Sequence, residues 1–342
     1  MYDEGKNILV SGGVGFIGSN FIPFLLKENT TYNIINLDKL TYAGNTNNLI
    51  EVTDHDRYQF VKGDICNSEL VFSIFEEHNI TGVIHFAAES HVDNSIANPE
   101  GFIQTNINGT FVLLEAARSH WMNEFGGPKE EFKNARFHHI STDEVYGSLG
   151  EEGHFTEKTP YAPNSPYSAS KAAADFLVRS YYRTYGLNTV TSNCSNNYGP
   201  KQHDEKLIPT IIRKALAGEP IPIYGDGKNV RDWLYVLDHC KGIDRVFKKG
   251  VAGSTYLIGG NNEHNNLYIA QRICTILNSI KPRPTGNYNE LITFVKDRLG
   301  HDYRYAIDAS KIQSELEWKP ETTFDQGLEK TVKWYVHKYL NK

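Results

Sequence analysis

Thr142, Asp143 and Glu144 stand together in the run His139-Ile-Ser-Thr-Asp-Glu-Val-Tyr146, and a Tyr167-x-x-x-Lys171 pair follows. An ammonium beside a phenol favours the phenolate and lowers a pKa that starts near ~10. A tyrosinate so poised takes the proton of a hydroxyl while hydride leaves the same carbon. The adjacent carboxyls add a second chemistry. Two such groups close together split their titrations, one staying protonated and the other ionised. Elimination needs that division: an acid for the departing hydroxyl and a base for the carbon-bound proton.

Spacing alone carries little. The chain holds four Tyr-x-x-x-Lys pairs, Tyr2/Lys6, Tyr58/Lys62, Tyr167/Lys171 and Tyr224/Lys228. Only Tyr167/Lys171 sits at a well-formed helix start, with Ser165 as the expected N-cap and Pro166 as the first helical residue. At i and i+4 the two side chains share a helix face. An Asp-Glu dipeptide is by itself usually a solvated turn. Here it follows the apolar strand Phe137–Ser141, at the carboxyl end where open α/β sheets bind ligands. A continuing strand would send Asp143 and Glu144 to opposite faces. Both reach one substrate only if the chain turns, which the loop Gly147-Ser-Leu-Gly150 permits.

Upstream, Gly12-x-x-Gly15-x-x-Gly18 follows the strand Ile8-Leu-Val10 and opens a helix carrying Ile17, Phe21, Leu25 and Leu26. The first glycine permits the tight turn, the second admits a pyrophosphate against the backbone, and the third lets helix and strand pack closely. The helix N-terminus offers N–H groups and a positive dipole end to phosphates. Asp38 ends the second strand, about 20 residues past Gly18, where a carboxylate accepts both ribose hydroxyls. It would repel a 2′-phosphate, so NAD is expected rather than NADP. Asp64, after the third strand, suits a contact to the adenine. Pro23 conflicts with this helix, because it removes a backbone bond at a cost of ~3 kcal/mol or more; a bend or a local shift is expected there.

These groups need a scaffold. Strands are expected at Ile8–Val10, Ile34–Leu37, Tyr58–Val61, Val83–Phe86, Phe137–Ser141 and Thr189–Ser192, with helical segments such as Phe102–Ala117 and Tyr167–Tyr185 between them. Continuous apolar strands alternating with helices argue for an α/β fold with a Rossmann-type doubly wound parallel sheet. After Pro200 the texture changes, with Pro and Gly clustered in 217–227 and 281–284. The expected division is a cofactor-binding domain over 1–200 and a smaller, mixed α/β C-terminal substrate domain over 201–342. Residues 231–260 are expected to return to the first domain, which interleaves the boundary. Phe324, Leu328, Val332, Tyr335 and Tyr339 recur at helical spacing as a core stripe, and Asn123–Lys133 is read as a surface loop.

Composition narrows the classes. The 342 residues carry 35 basic and 41 acidic side chains, net −6, with no single-sign run that would suit nucleic acid. Cys66, Cys194, Cys240 and Cys274 form no C-x-x-C pair, so reduced thiols are expected rather than a zinc site or disulfides. No metal is implied. No stretch approaches the ~20 apolar residues of a membrane span. Residues 1–7 lead into a strand without a leader-like apolar region. A cytoplasmic enzyme is expected.

Longer words point to a family. Ser11-Gly-Gly-Val-Gly-Phe-Ile-Gly18, Asp38-Lys-Leu-Thr-Tyr-Ala-Gly-Asn45, Ala87-Ala-Glu-Ser-His-Val-Asp93, Ser141-Thr-Asp-Glu-Val-Tyr-Gly147, Tyr167-Ser-Ala-Ser-Lys171, Asn193-Cys-Ser-Asn-Asn-Tyr-Gly-Pro200, Arg231-Asp-Trp233 and Gly300-His-Asp302 span nearly the whole chain. With them the chain resembles the extended short-chain dehydrogenase/reductase family, and within it the dTDP-glucose 4,6-dehydratases. The resemblance implies NAD-mediated oxidation at C4 of dTDP-glucose, loss of water across C5 and C6, and hydride return to C6. The implied product is dTDP-4-keto-6-deoxyglucose, in 6-deoxysugar synthesis such as that of dTDP-rhamnose. Tyr167 would be the base at the 4-hydroxyl, Glu144 the base at C5 and Asp143 the acid at the 6-hydroxyl. Thr142 would bond near the 4-oxygen, and Lys171 would also bind the nicotinamide ribose.

By the same resemblance Phe16, Ile17, Asp38, Lys39, Leu40, Thr41, Asp64, Ile65, Ala87, Ala88, Ser90, Thr105 and Asn197 line the NAD site. Ser90, Asn196, Lys206, Leu207, Pro222, Tyr224, Arg231, Asn266, Arg298 and His301 hold the nucleotide sugar. Arg231 and Arg298 suit a diphosphate, since guanidinium forks match phosphate oxygens. A homodimer packed on the helices near 102–118 and 167–185 is implied. The chain departs from the family's usual wording at Asn94, where Arg is common, and at Leu299, where Pro is usual. Rival nucleotide-sugar enzymes of the same fold differ at the acidic pair. Epimerases carry Ser or Ala there, and decarboxylases and GDP-mannose dehydratases commonly show Thr-Ser-Glu, without the Asp.

Overall fold

The computed structural model describes residues 5–124, 126–297 and 301–340. Its first six strands are β1 (Asn7–Ser11), β2 (Asn33–Asp38), β3 (Tyr58–Lys62), β4 (Gly82–His85), β5 (Arg136–Thr142) and β6 (Thr189–Cys194). β7 (Asn196–Tyr198), β8 (Ile221–Tyr224), β9 (Val230–Tyr235), β10 (Thr255–Ile258), β11 (Glu263–Asn265), β12 (Ile292–Val295) and β13 (Arg304–Tyr305) follow. The helices are α1 (Phe16–Glu28), α2 (Ser68–Glu77), α3 (Val92–Ala97), α4 (Glu100–Phe102), α5 (Thr110–Trp121), α6 (Pro166–Tyr185), α7 (Leu207–Ala217), α8 (Val236–Lys249), α9 (Asn266–Ile280), α10 (Ser310–Leu316) and α11 (Phe324–Leu340).

Seven strands form one parallel sheet in the order β3-β2-β1-β4-β5-β6-β10. Every residue of β4 and β6 is buried, as a sheet covered on both faces requires. Alternation along β1 shows the two layers: Ile8 and Val10 pack with α1, α8 and α10, while Leu9 packs with α2, α5 and α6. The strand order reverses between β1 and β4, and there the carboxyl ends part into a crevice. The expected doubly wound sheet is therefore present.

Beyond Pro200 the chain builds a smaller mixed unit. β9 pairs with β11, β13 and β7, and β8 pairs with β12. A separate core joins α7, α9 and α11 to these strands, with Phe324, Leu328, Val332 and Tyr335 buried in it and Tyr339 at its edge. Segment 231–260 divides between the units. β9 stays in the small sheet, whereas α8 packs on α1 and β10 extends the large sheet at β6.

Pro23 lies inside α1, which runs unbroken through it. Its missing N–H deprives the Ser19 carbonyl of an i→i−4 partner. The Lys201 ammonium supplies that partner, donating to Ser19 O at 3.1 Å and pairing with Glu51 at 2.9 Å. Asn20 Nδ2 donates to Pro200 O at 3.0 Å alongside. A cross-link from α1 to the loop after β7 thus forms at the proline.

The helical segment expected over 102–117 is continuous in direction but not in pitch. Residues Ile103–Gly109 wind as a π-helix between α4 and α5, a form that concentrates at functional sites. The widened turn seats Asn106, which bonds both backbone groups of Glu89 (2.8 and 3.0 Å) and the Ser170 hydroxyl at 2.8 Å. Residues 123–133 contain a turn and the short 3₁₀ segment Glu130–Phe132. Cys66, Cys194, Cys240 and Cys274 are free thiols. Among the described residues no helix is long and apolar enough to cross a membrane.

Candidate active site

A cleft of about 330 Å³ opens at the carboxyl ends of β1, β4, β5 and β6. Its floor is the glycine turn. Gly12 has φ +75°, and a Cβ there would lie 2.6 Å from Ala87 N. A Cβ on Gly18 would lie 2.5 Å from Gly12 O, so shape alone demands glycine at both positions. No side chain caps α1, and Gly15 occupies the N-cap. Its first N–H groups therefore face the cleft without a protein acceptor of the capping kind, as phosphate binding requires.

Asp38 ends β2 beside this turn. Its carboxylate accepts from Val14 N at 3.1 Å and Leu40 N at 2.9 Å. Burial raises its pKa against the pull of those two bonds. Its remaining lone pairs suit ribose hydroxyls and disfavour a 2′-phosphate. Burial would also lift Asp64, but Lys39, 2.6 Å away, and the Cys66 N–H hold its carboxyl below the usual range. A glycine floor, an open helix start and a ribose-reading carboxylate fit a dinucleotide.

Gly12, Gly15, Phe16, Ile17, Gly18, Asp38, Lys39, Thr41, Asp64, Ile65, Ala87, Ala88, Ser90, Thr105 and Asn197 all line the cleft. Leu40 does not. It sits in a left-handed conformation (φ +59°) and serves Asp38 through its N–H. Residues that sequence reasoning passed over also line it, among them Glu89, Gln202, His203 and Glu205. His203 and Glu205 arrive on the loop that Lys201 anchors. No short motif marks that loop, so only the fold reveals it.

The proton-moving residues meet in the same cleft. β5 ends at Thr142, and a 3₁₀ turn, Asp143–Tyr146, begins at once with Thr142 Oγ1 accepting from Glu144 N at 3.3 Å. Turning by a third of a circle per residue replaces the strand's alternation, so Asp143 and Glu144 both line the cleft. Gly147 ends the turn at φ +88°, where a Cβ would strike Ala162 O. Asp143 is 2% exposed. Burial, then the charges of Glu144 and Asp232, push its carboxyl well above the usual range, and the nearby Arg231 only partly opposes them. Burial thus favours the protonated form of Asp143.

α6 carries Tyr167 and Lys171. A capping box between Ser165 and Ser168, with Pro166 next, starts the helix, and Gly186 in a left-handed conformation stops it. Lys171 Nζ donates to Ile140 O at 2.8 Å. Burial lowers its pKa to about 8, with Asp175 opposing. The expected depression of the Tyr167 pKa by Lys171 is not the dominant effect. Burial, followed by the charge of Glu144, pushes the phenol well above its ordinary value. Positive charge brought into the cleft would oppose that push.

Of the expected sugar-binding residues, Ser90, Thr142, Asn196 and Lys206 line this cleft. Leu207, Pro222, Tyr224, Arg231, Asn266 and His301 lie outside it, on the smaller unit. Arg231 is buried, stacked 4.1 Å from the Tyr305 ring centre and donating to the carbonyls of Val230, Asp302 and Tyr303. His301 Nδ1 lies 2.7 Å from Asp297 Oδ1. Arg298 and Leu299 fall outside the described residues.

The family model of GDP-mannose 4,6 dehydratase matches residues 9–331. The dTDP-glucose 4,6-dehydratase of Neisseria gonorrhoeae is 54% identical over 341 residues, covering 98% of this chain and 97% of that one. A dTDP-glucose 4,6-dehydratase structure from Bacillus anthracis, in complex with NAD, superposes with TM-score 0.86 at 47% identity, covering 98% of each chain. One from Streptomyces venezuelae, also with NAD bound, gives 0.87 at 43% identity, covering 97% of this chain and 98% of that one. On these matches, over nearly its whole length, the chain belongs to the dTDP-glucose 4,6-dehydratase family of the extended short-chain dehydrogenases/reductases.

Proposed function

We propose that this protein is an NAD-dependent hydro-lyase that converts dTDP-glucose to dTDP-4-keto-6-deoxyglucose and water, a step in dTDP-deoxysugar synthesis such as that of dTDP-rhamnose. One observation carries the reading: Asp143, whose carboxyl burial pushes well above its usual range, stands beside Glu144 in one cleft with Tyr167 and Lys171. An epimerase has no use for that pair.

NAD, when bound on the glycine floor, supplies the hydride acceptor at C4, the hydride donor at C6 and a positive charge that favours the Tyr167 phenolate. Tyr167 takes the proton of the 4-hydroxyl, and the Thr142 hydroxyl stabilises the ionised phenol beside it. The resulting 4-ketone acidifies the proton on C5. Glu144 removes it, and Asp143 gives its proton to the 6-hydroxyl, which departs as water. Glu144 then returns a proton to C5. Lys171, tied to Ile140 O, holds the charge that Tyr167 needs.

Leu207, Pro222, Tyr224, Arg231, Asn266 and His301 on the smaller unit, and Arg298 by resemblance, are assigned to the nucleotide end of the substrate. The exposed apolar residues Ile103, Phe111, Phe176 and Tyr185, on the π-helical segment, α5 and α6, are assigned to a homodimer face; replacing Phe111 and Phe176 by Glu should give a monomer in sedimentation. Four free thiols suit a reducing cytoplasm.

Incubation with dTDP-glucose in heavy water tests the reaction. The expected product is a 6-deoxy-4-ketosugar carrying solvent deuterium at C5. A product that keeps its 6-hydroxyl would overturn the proposal.

A further inference from the structure

Behind the cleft lies a polar cluster that the reaction as written does not use. Asp175, one helical turn beyond Lys171 on the same face of α6, is 4% exposed. Its Oδ2 accepts from Tyr161 OH at 2.8 Å and from Asn193 Nδ2 at 3.1 Å. Asn193 Nδ2 also donates to Thr142 O at 3.0 Å, the carbonyl from which the Asp143–Glu144 turn departs. Asp175 Oδ1 lies 3.2 Å from His139 Nε2 on β5.

A carboxylate so far from water persists only with a compensating charge. The titratable groups coupled to Lys171 are Asp175 on α6, Cys194 on β6, His139 on β5 and His85 on β4, with Tyr167 one turn away on the same helix face and Asp143 and Glu144 beside Tyr167 in the cleft. Burial drives both imidazoles toward the neutral form, His139 to about 4. It likewise keeps the Cys194 thiol, the Asp143 carboxyl and the Tyr167 phenol protonated. Burial would raise Asp175 too, but His139, Lys171 and Ser141 hold it below the usual carboxylate range. Asp175 is thus the charge on the buried side of Lys171.

We propose that Asp175 is a positioning residue for the reaction: it is the buried counter-charge of Lys171 and, through Asn193, the tether of the Thr142 carbonyl on which the Asp143–Glu144 turn is hung. One side chain thereby ties the oxidising half of the site to the dehydrating half. The proposal rests on the roles given above to Tyr167 and Lys171, and its test separates the two.

The first measurement is single-turnover reduction of bound NAD by dTDP-glucose as a function of pH. Asp175→Asn removes the charge that favours the Lys171 ammonium, so the alkaline fall in rate should move down by about one pH unit or more. Asp175→Glu should restore its position. A uniform loss at every pH would overturn the proposal, because a merely structural role moves no pH limb. The second measurement is thermal stability and needs no substrate. Lys171→Met strands a buried carboxylate and should lower Tm, and Asp175→Asn strands a buried ammonium and should lower it as well. The double variant should be more stable than either single one. Losses that simply add would overturn the coupling, whatever reaction the enzyme catalyses. Should Asp175→Asn alone fail to fold, rescue of folding by Lys171→Met reports the same coupling, and failure of both overturns it.

Discussion

The two ends of the cleft are built from different materials. At the carboxyl ends of β1 and β2 the site is backbone: glycines with no room for a Cβ, an uncapped helix start, one carboxylate held by two N–H groups. At the ends of β5 and β6 it is buried titratable side chains: Asp143, Tyr167, Lys171 and, behind them, Asp175, all within 8% exposure. The first end reads the shape of a cofactor and tolerates little added volume. The second stores protons in particular places and tolerates little change of charge. Substitutions at the first should therefore alter affinity, and those at the second should alter rate.

The sharpest break of that contrast is Tyr167→Phe. It should cut both NAD reduction and product formation by about 10³–10⁴, while NAD content, read by absorbance of the purified protein, stays within a few-fold. Loss of bound NAD on the same scale would erase the distinction. Next comes Glu144→Gln, which should slow product formation by about 10²–10³ yet leave a substrate-dependent rise of reduced NAD. If that rise vanished while NAD remained bound, Glu144 would not be the base at C5.

At the other end, Gly12→Ala places a Cβ 2.6 Å from Ala87 N in a backbone at φ +75°. Strain of about 1–3 kcal/mol should weaken NAD binding by roughly ten- to a hundredfold in calorimetry, and kcat at saturating NAD should fall far less. The smallest effect is in stability, with reversed sign. Asp143 holds its proton above the ordinary value of 3.8, so the folded state binds more protons than the unfolded one, and stability falls as pH rises past that value. Asp143→Asn removes this penalty. It should raise Tm by about 2 °C at pH 7, should do nothing below pH 3.8, and should slow dehydration. A lower Tm at pH 7 would refute the buried-acid assignment.

The sheet and the backbone-built end were legible in the sequence because their signals are local. Continuous apolar runs such as that of β4 and the spacing of Gly12, Gly15 and Gly18 depend on neighbours a few residues away. The charge-built end was legible only as residue types. Asp143 and Glu144 were given their acid and base roles by resemblance alone, because the push on the Asp143 carboxyl comes from burial and from Asp232 and Arg231, far along the chain. The same holds for Tyr167, where burial outweighs the nearby ammonium. Asn106 in its π-turn, Leu40 at positive φ and the loop carrying His203 and Glu205 left no local trace, since each conformation is imposed by packing. Pro23 left a local trace, a lost helix bond, but the lysine that answers it is at 201 and left none.

That pairing sets a timetable for a chain emerging from the ribosome. The carbonyl of Ser19 and the ammonium that serves it are 182 residues apart, about 10–40 s of synthesis at ordinary rates. For that interval the first helix has no protein partner for one interior carbonyl. The loop that completes the cofactor cleft arrives in the same moment as the lysine, so the helix matures together with the site it helps to form. A nascent chain stalled before Lys201 should be cleaved by protease within residues 16–28, and one stalled well beyond it should resist; equal cleavage of both would show that the helix does not wait.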